Sequence, residues 1–130
     1  MIYGIGIDLV EVSRIERIMA KWGDAFSRRI YSAEEIAYCR VKTRPSLHYA
    51  SCFAVKEAFL KAMGVGLGGG ITLTDISTVH KANGKPEVRL FGKADALLQA
   101  DRMATSVSIS HTDDLATAVV MIHKEAGDCG

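Results

Sequence analysis

The sequence predicts an α+β protein in which helices pack on a mostly antiparallel sheet, and three observations predict it. Apolar residues recur with helical spacing from Ile15 to Met63, and alternation with period two takes over after the glycine-rich stretch 64–70. The strand–helix alternation of a doubly wound sheet is missing. A chain of 130 residues suits one domain, large enough to bury roughly two-thirds of its unfolded surface. We expect that domain to span 1–130, with 124–130 a frayed tail.

The elements follow in order. "IYGIGIDLV" reads as a strand with Ile2, Gly4, Gly6 and Asp8 on one face and Tyr3, Ile5, Ile7 and Leu9 on the other, Asp8 standing at its end. "SRIERIMAKW" begins a helix, with Ser13 and Glu16 as a capping box and Ile15, Ile18, Met19 and Trp22 as its apolar stripe. "SAEEIAYCRV" repeats the pattern with Ser32 and Glu35. Pro45 and Ser46 open a long helix through Met63, which Gly64 stops. "ITLTDISTVH" and "PEVRLF" look like strands joined around Asn83-Gly84, and "GKADALLQADRM" like a short helix. "TSVSISH" and "LATAVVMIH" form a closing hairpin around a polar turn at Thr112–Asp114.

The bulk numbers exclude more than they select. A formal charge of +1 gives no global electrostatic case for nucleic acid or a membrane surface, and aromatic and basic residues do not interleave. No apolar run approaches the roughly 20 residues needed to span a bilayer. Locally, residues 12–44 hold eight Lys/Arg against four Asp/Glu, which suits either a solvated helical surface or an acidic or phosphate-rich partner. Cys39, Cys52 and Cys129 lack metal spacing and are odd in number. With an N-terminus that reads straight into a strand, they suggest reduced thiols in the cytoplasm.

Chemistry concentrates in "FAVKEAFLKAMG", residues 53–64. Ala58, Ala62, Val55, Phe59 and Met63 form one apolar arc, and Phe53 and Leu60 a second ridge, so Lys56, Glu57 and Lys61 are bordered by apolar surface. An exposed Glu57–Lys61 pair one turn apart would add only about 0.2–0.5 kcal/mol. A carboxylate in such surroundings must instead be paired, protonated or bound to a cation. Asp8 is the second unusual acid, because Gly4 and Gly6 on its face let another backbone, a helix or a ligand approach closely. Two carboxylates meeting from strand and helix would suit a hard cation such as Mg²⁺, with Lys56 and Lys61 neutralising phosphate charge. Zinc is disfavoured, since no His/Cys cluster has ligand spacing.

Three further features stay open at the level of the residues. Gly64, Gly66 and Gly69 match G-x-G-x-x-G, but between a helix and a strand, the reverse of the dinucleotide-binding order. The loop is then a simple connection or one whose amides at Gly64 and Gly66 approach a ligand. His111 shares a strand face with Val107 and Ile109, where it can touch a phosphate, polarise a hydroxyl or simply top the sheet; His48, His80 and His123 show no telling company. Arg14, Arg17 and Lys21 fall at i, i+3, i+7 and make one basic stripe, a solvated face or a dock for an acidic helix.

"GIGIDLVEVSRI" followed about forty residues later by "FAVKEAFLKAMGVG", with "NGKP" and the terminal "SISH", resembles the bacterial holo-(acyl-carrier-protein) synthases of the 4′-phosphopantetheinyl transferase superfamily. The resemblance covers essentially the whole chain and implies that superfamily's fold. It implies that Asp8 and Glu57 hold Mg²⁺ on the diphosphate of coenzyme A, with Lys61 beside the phosphates. A serine hydroxyl of acyl carrier protein attacks the β-phosphorus, phosphopantetheine is transferred, and 3′,5′-ADP leaves. Glu57 is the expected proton acceptor, and His111 a phosphate contact or organiser. The resemblance further implies a homotrimer with active sites between subunits, and docking of the carrier's acidic helix on Arg14, Arg17 and Lys21. One departure stands out. Many relatives carry arginine before Phe-Ala, where it helps hold the ribose 3′-phosphate; here that position is Cys52, and Lys42, Arg44 or His48 is expected to compensate. The competing readings are a Mg²⁺-dependent nucleotide phosphohydrolase and a non-enzymatic carrier-binding module.

Overall fold

The computed structural model describes residues 1–66 and 69–125. The elements are β1 (Ile2–Glu11), α1 (Val12–Trp22), α2 (Asp24–Ile30), α3 (Ala33–Arg40), α4 (Pro45–Met63), a 3-10 turn (Leu73–Asp75), β2 (Ile76–His80), β3 (Pro86–Leu90), α5 (Gly92–Ala100), β4 (Met103–His111) and β5 (Leu115–Lys124). β1, β5 and β4 pair antiparallel in that order, and β2 and β3 form a separate antiparallel pair. The α+β architecture is the one expected.

Helix α4 lies across one face of the three-stranded sheet. Its Ala58, Phe59 and Ala62 are buried, as are Val10, Ala116, Ala118, Val120 and Ile122 of the strands, and together they make the centre of the core. Small residues dominate the contact because the helix sits against β1 with almost no side chain between. A Cβ built on Gly4 or Gly6 would fall 1.9 Å from the Ala62 carbonyl oxygen or 1.8 Å from that of Ala58. Of the three approaches that glycines spaced by two allow, the helix is the one realised. α4 ends at Gly64, whose φ of +74° is the left-handed cap that glycine adopts freely.

The other face of the sheet is open. Tyr3, Ile5, Ile7 and Leu9 point away from α4 and are 50%, 57%, 60% and 63% exposed. Four large apolar side chains in one row are more than scattered surface residues.

Several local expectations are corrected. β1 continues past Asp8 to Glu11 and passes straight into α1, so Ser13 already lies inside the helix. No Ser13–Glu16 box forms; the amide of Val12 donates to the Asp114 carbonyl at 2.9 Å, and Glu16 pairs with Arg44 instead. The Ser32–Glu35 box does form. Residues 24–30, unassigned from sequence, are helical, and the front half of "ITLTDISTVH" is a 3-10 turn followed by β2. Lys124 and Glu125, expected in a frayed tail, are instead held: Lys124 closes β5, and its amide and that of Glu125 donate to the carbonyls of Met1 and Arg102 at 2.9 and 3.0 Å. Residues 126–130, including Cys129, lie outside the described residues.

Candidate active site

The close contact of β1 and α4 decides where Asp8 goes. Two residues beyond Gly6 on the same face, Asp8 comes level with the turn of α4 that carries Glu57 and Lys61. Lys61 Nζ donates to Asp8 Oδ1 and to the Ile7 carbonyl, each at 3.0 Å. The Thr117 hydroxyl holds the Asp8 carbonyl at 2.8 Å from β5, fixing the strand beneath it. Lys61 therefore reaches across to the sheet rather than back along its helix to Glu57.

Glu57 is half-buried, and its carboxylate makes no hydrogen bond or ion pair among the described residues. Burial first, and then the negative charge of Asp8, push its pKa above the ordinary carboxylate value; Lys61 and Arg14 partly offset the rise. Because the folded-state value is the higher one, ionising Glu57 lowers stability, and the loss grows as pH rises from the unfolded value through the folded one. Two acids in each other's field, with oxygen donors only and an exposed lysine alongside, form a site that a hard cation would relieve. Arg14 brings α1 into this neighbourhood, its guanidinium carbon 5.9 Å from the Phe53 ring centroid. Arg17 and Lys21 continue along the exposed face of the same helix.

Residues 4–120 match the family model described as the 4′-phosphopantetheinyl transferase superfamily. This chain belongs to that superfamily. The transferase is 43% identical over 123 residues to the holo-(acyl-carrier-protein) synthase of Syntrophus aciditrophicus, covering 94% of this chain and 96% of the relative. Its fold matches the crystal structure of the Neisseria meningitidis synthase with a TM-score of 0.88 at 38% identity, covering 95% of this chain and 100% of the other. The Helicobacter pylori synthase in complex with coenzyme A gives a TM-score of 0.80 at 34% identity, over 92% and 99% of the two chains.

Within this transferase several candidates change role. Lys56 is not a phosphate ligand, because it is 0% exposed. Its ammonium donates to Glu35 Oε1 at 2.6 Å and to the carbonyls of Leu73 and Ile76. Glu35 Oε1 also accepts from Ser32 N and its Oε2 from Thr78 N, so the pair joins α3, α4 and the start of β2. Sequence reading saw Glu35 only as a capping residue. No signal in the sequence joins it to Lys56, because the two residues are 21 positions apart and meet only through the packing of α3 on α4.

Cys52 points into the core, with its sulfur 3.9 Å from that of Cys39. Arg44, at the surface, donates to Glu16 and to the Asp113 carbonyl. Lys42 sits over the Tyr38 ring at 4.2 Å. Gly64 serves as a helix cap and a Cβ on Gly66 would meet none of the described residues within 4 Å, while Leu67 and Gly68 lie outside the described residues. His111 stands on the α4 side of the sheet, paired across β5 through Ala116, whose other partner is Val10. It is thus displaced from the Asp8–Glu57–Lys61 group, which places it with a different set of residues.

Proposed function

We infer that this chain transfers the 4′-phosphopantetheine group of coenzyme A to a serine hydroxyl of apo acyl carrier protein, releasing adenosine 3′,5′-bisphosphate. The observation that carries the reading is the meeting of Asp8, Glu57 and Lys61 where β1 presses on α4. Asp8 and Glu57 would hold Mg²⁺, and when bound that ion supplies neutralisation of charge on the diphosphate bridge.

The chain's own residues then have simple tasks. Phosphoryl transfer needs positioning and charge stabilisation more than covalent help. The serine oxygen forms a bond to the β-phosphorus as the bond from that phosphorus to the bridging oxygen breaks. The bridging oxygen departs with the adenosine bisphosphate, and Lys61 shields the charge it gains. Glu57 takes the serine proton; a carboxyl held above its ordinary value is better matched to that task near neutral pH. Arg14, Arg17 and Lys21 offer the acidic helix of the carrier a basic edge that ends beside the site. The reaction belongs in the cytoplasm, where the free thiols Cys39 and Cys52 stay reduced.

Incubation with coenzyme A, Mg²⁺ and apo carrier protein, read by mass spectrometry, tests the proposal. The carrier is expected to gain a phosphopantetheine increment, and the gain to vanish with a chelator. Glu57→Gln and Asp8→Asn are each expected to lower the rate at least about 100-fold while the protein still melts cooperatively. Release of nucleotide without any carrier would point to a hydrolase. Full function in both variants would leave only a binding module.

We also infer that the apolar row Tyr3, Ile5, Ile7 and Leu9 is covered by further copies of the chain, in a homotrimer with active sites between subunits. The support is the row itself, on the sheet face that α4 leaves open. Ile7→Lys puts a charge in its centre and is expected to yield monomers in analytical ultracentrifugation. A variant that sediments like the parent protein would refute the assignment of this face.

A further inference from the structure

Two sulfur atoms that the proposed mechanism does not use meet inside the molecule. Cys39 comes from the last turn of α3 and Cys52 from the middle of α4, and their Sγ atoms lie 3.9 Å apart. Both residues are buried, at 0% and 2% exposure. One turn away on each helix, the Glu35–Lys56 ion pair joins the same two elements. The sulfurs and the charges are thus neighbouring links between α3 and α4. Cys52 stands just before Phe53 and Ala54, where an arginine was expected, and the fold uses it as an interior thiol.

The pair has the wrong company for a metal centre. No group of three or more His, Cys, Asp or Glu residues that could hold an ion occurs among the described residues, and structural zinc asks for four ligands. What two thiols can do by themselves is give up two electrons and form a covalent bond. That bond needs sulfurs about 2.05 Å apart, so the contact must close by a small adjustment of the two helices. Access to the sulfurs differs. Cys39 is next to last in a helix of eight residues, whereas Cys52 lies inside one of nineteen. A terminal turn opens at far lower cost than the interior of a long packed helix. The contact with the Cys39 sulfur, and then burial, hold the Cys52 thiol above its ordinary pKa, which keeps it protonated until its neighbour has reacted.

We propose that Cys39 and Cys52 form a reversible disulfide when the protein meets a hydroperoxide, and that this bond staples α3 to α4. In a reducing cytoplasm the pair rests as two thiols. Opening of the last turn of α3 brings the Cys39 thiolate to the peroxide. Its sulfur bonds to one peroxide oxygen, the O–O bond breaks, and the other oxygen takes a proton and leaves as water or alcohol. Cys39 is then a sulfenic acid. Once the turn closes, the Cys52 sulfur bonds to the Cys39 sulfur, the S–O bond breaks, and water departs with the Cys52 proton. Two electrons have passed from the thiols to the peroxide, and a thiol reductant returns them by exchange. The new bond closes residues 40–51 into a loop, which restricts the unfolded chain and favours the folded one.

The experiment treats the intact folded protein with hydrogen peroxide, then unfolds it in N-ethylmaleimide and weighs it. The untreated chain, with three cysteines, is expected to take up three maleimides. The treated chain should take up two fewer, and digestion should release one peptide pair joined through Cys39 and Cys52. Dithiothreitol should restore the full uptake. The urea midpoint of the cross-linked protein should lie at least about 0.5 M above that of the reduced protein. Cys52→Ser should strand the oxidised Cys39, which dimedone then labels as a sulfenic acid, while Cys39→Ser should leave Cys52 unlabelled. Should a serine variant fail to melt cooperatively, the alanine variant takes its place, and the peptide map of the parent protein depends on neither. Thiols at 39 and 52 that survive peroxide, or a link that runs through Cys129, would overturn the site. A cross-link that leaves the urea midpoint where it was would overturn the staple. No step needs coenzyme A or a carrier, so the outcome is independent of the transferase reading.

Discussion

Replacing Lys56 by methionine is expected to destabilise the protein by about 3–5 kcal/mol, because it strips the buried Glu35 of the cation that pairs with it. Both side chains are fully buried and joined at 2.6 Å. The ammonium also satisfies the carbonyls of Leu73 and Ile76, which would be left without that donor. Glu35→Ala should cost a similar amount from the other side, leaving the ammonium without its counter-charge and the Thr78 amide without that acceptor. Urea denaturation of the two single variants and the double variant checks the argument. The double variant should be less damaged than the sum of the singles by at least about 2 kcal/mol, since neither charge then stands alone. Strict additivity would mean that the two groups do not act as a pair. Activity should fall along with stability in each, because Lys56 precedes Glu57 in the same helix.

Gly6→Ala is the second large effect. The added methyl carbon would sit 1.8 Å from the Ala58 carbonyl oxygen and 2.7 Å from the Ala62 amide nitrogen, both backbone atoms of a buried helix that cannot swing aside. Strand and helix must separate, with an expected loss of at least about 3 kcal/mol in chemical denaturation. Whatever protein remains folded should be nearly inactive, because the same displacement carries Asp8 away from Glu57 and Lys61. Gly66→Ala is the matched comparison: none of the described residues lies within 4 Å of its added carbon, and its stability should change by no more than about 0.5 kcal/mol. Equal tolerance at the two glycines would contradict the close strand–helix contact.

Much of this architecture is legible in the chain. The Ser32–Glu35 box, the proline that opens α4 and the glycine that ends it each act through neighbours a few residues away, and each stands where the pattern put it. Asp8 and Glu57 stood out as acids in apolar company, and that oddity reflects a real mutual effect, since the charge of Asp8 raises the pKa of Glu57. The Ser13–Glu16 box failed because β1 runs into α1 without a loop, and local pattern carries no information about that junction.

Lys56 and Lys61 show where such reading stops. They are five residues apart on one helix, both beside apolar surface, and sequence treated them alike. One faces Glu35 across the interior and the other faces Asp8 at the surface. The histidines are the same case: His48, His80 and His111 are scattered along the chain, and the fold sets His48 and His80 against Tyr38 and His111 beside His48. Helix ends, turns and face alternation depend on short-range backbone geometry, so the sequence by itself determined them, along with the α+β class and the two acids worth following. Which lysine is buried, which strand face stays open and which histidines meet depend on contacts between residues tens of positions apart. Only the tertiary structure decided those, because burial and Coulomb interaction act through space and have no period along the chain.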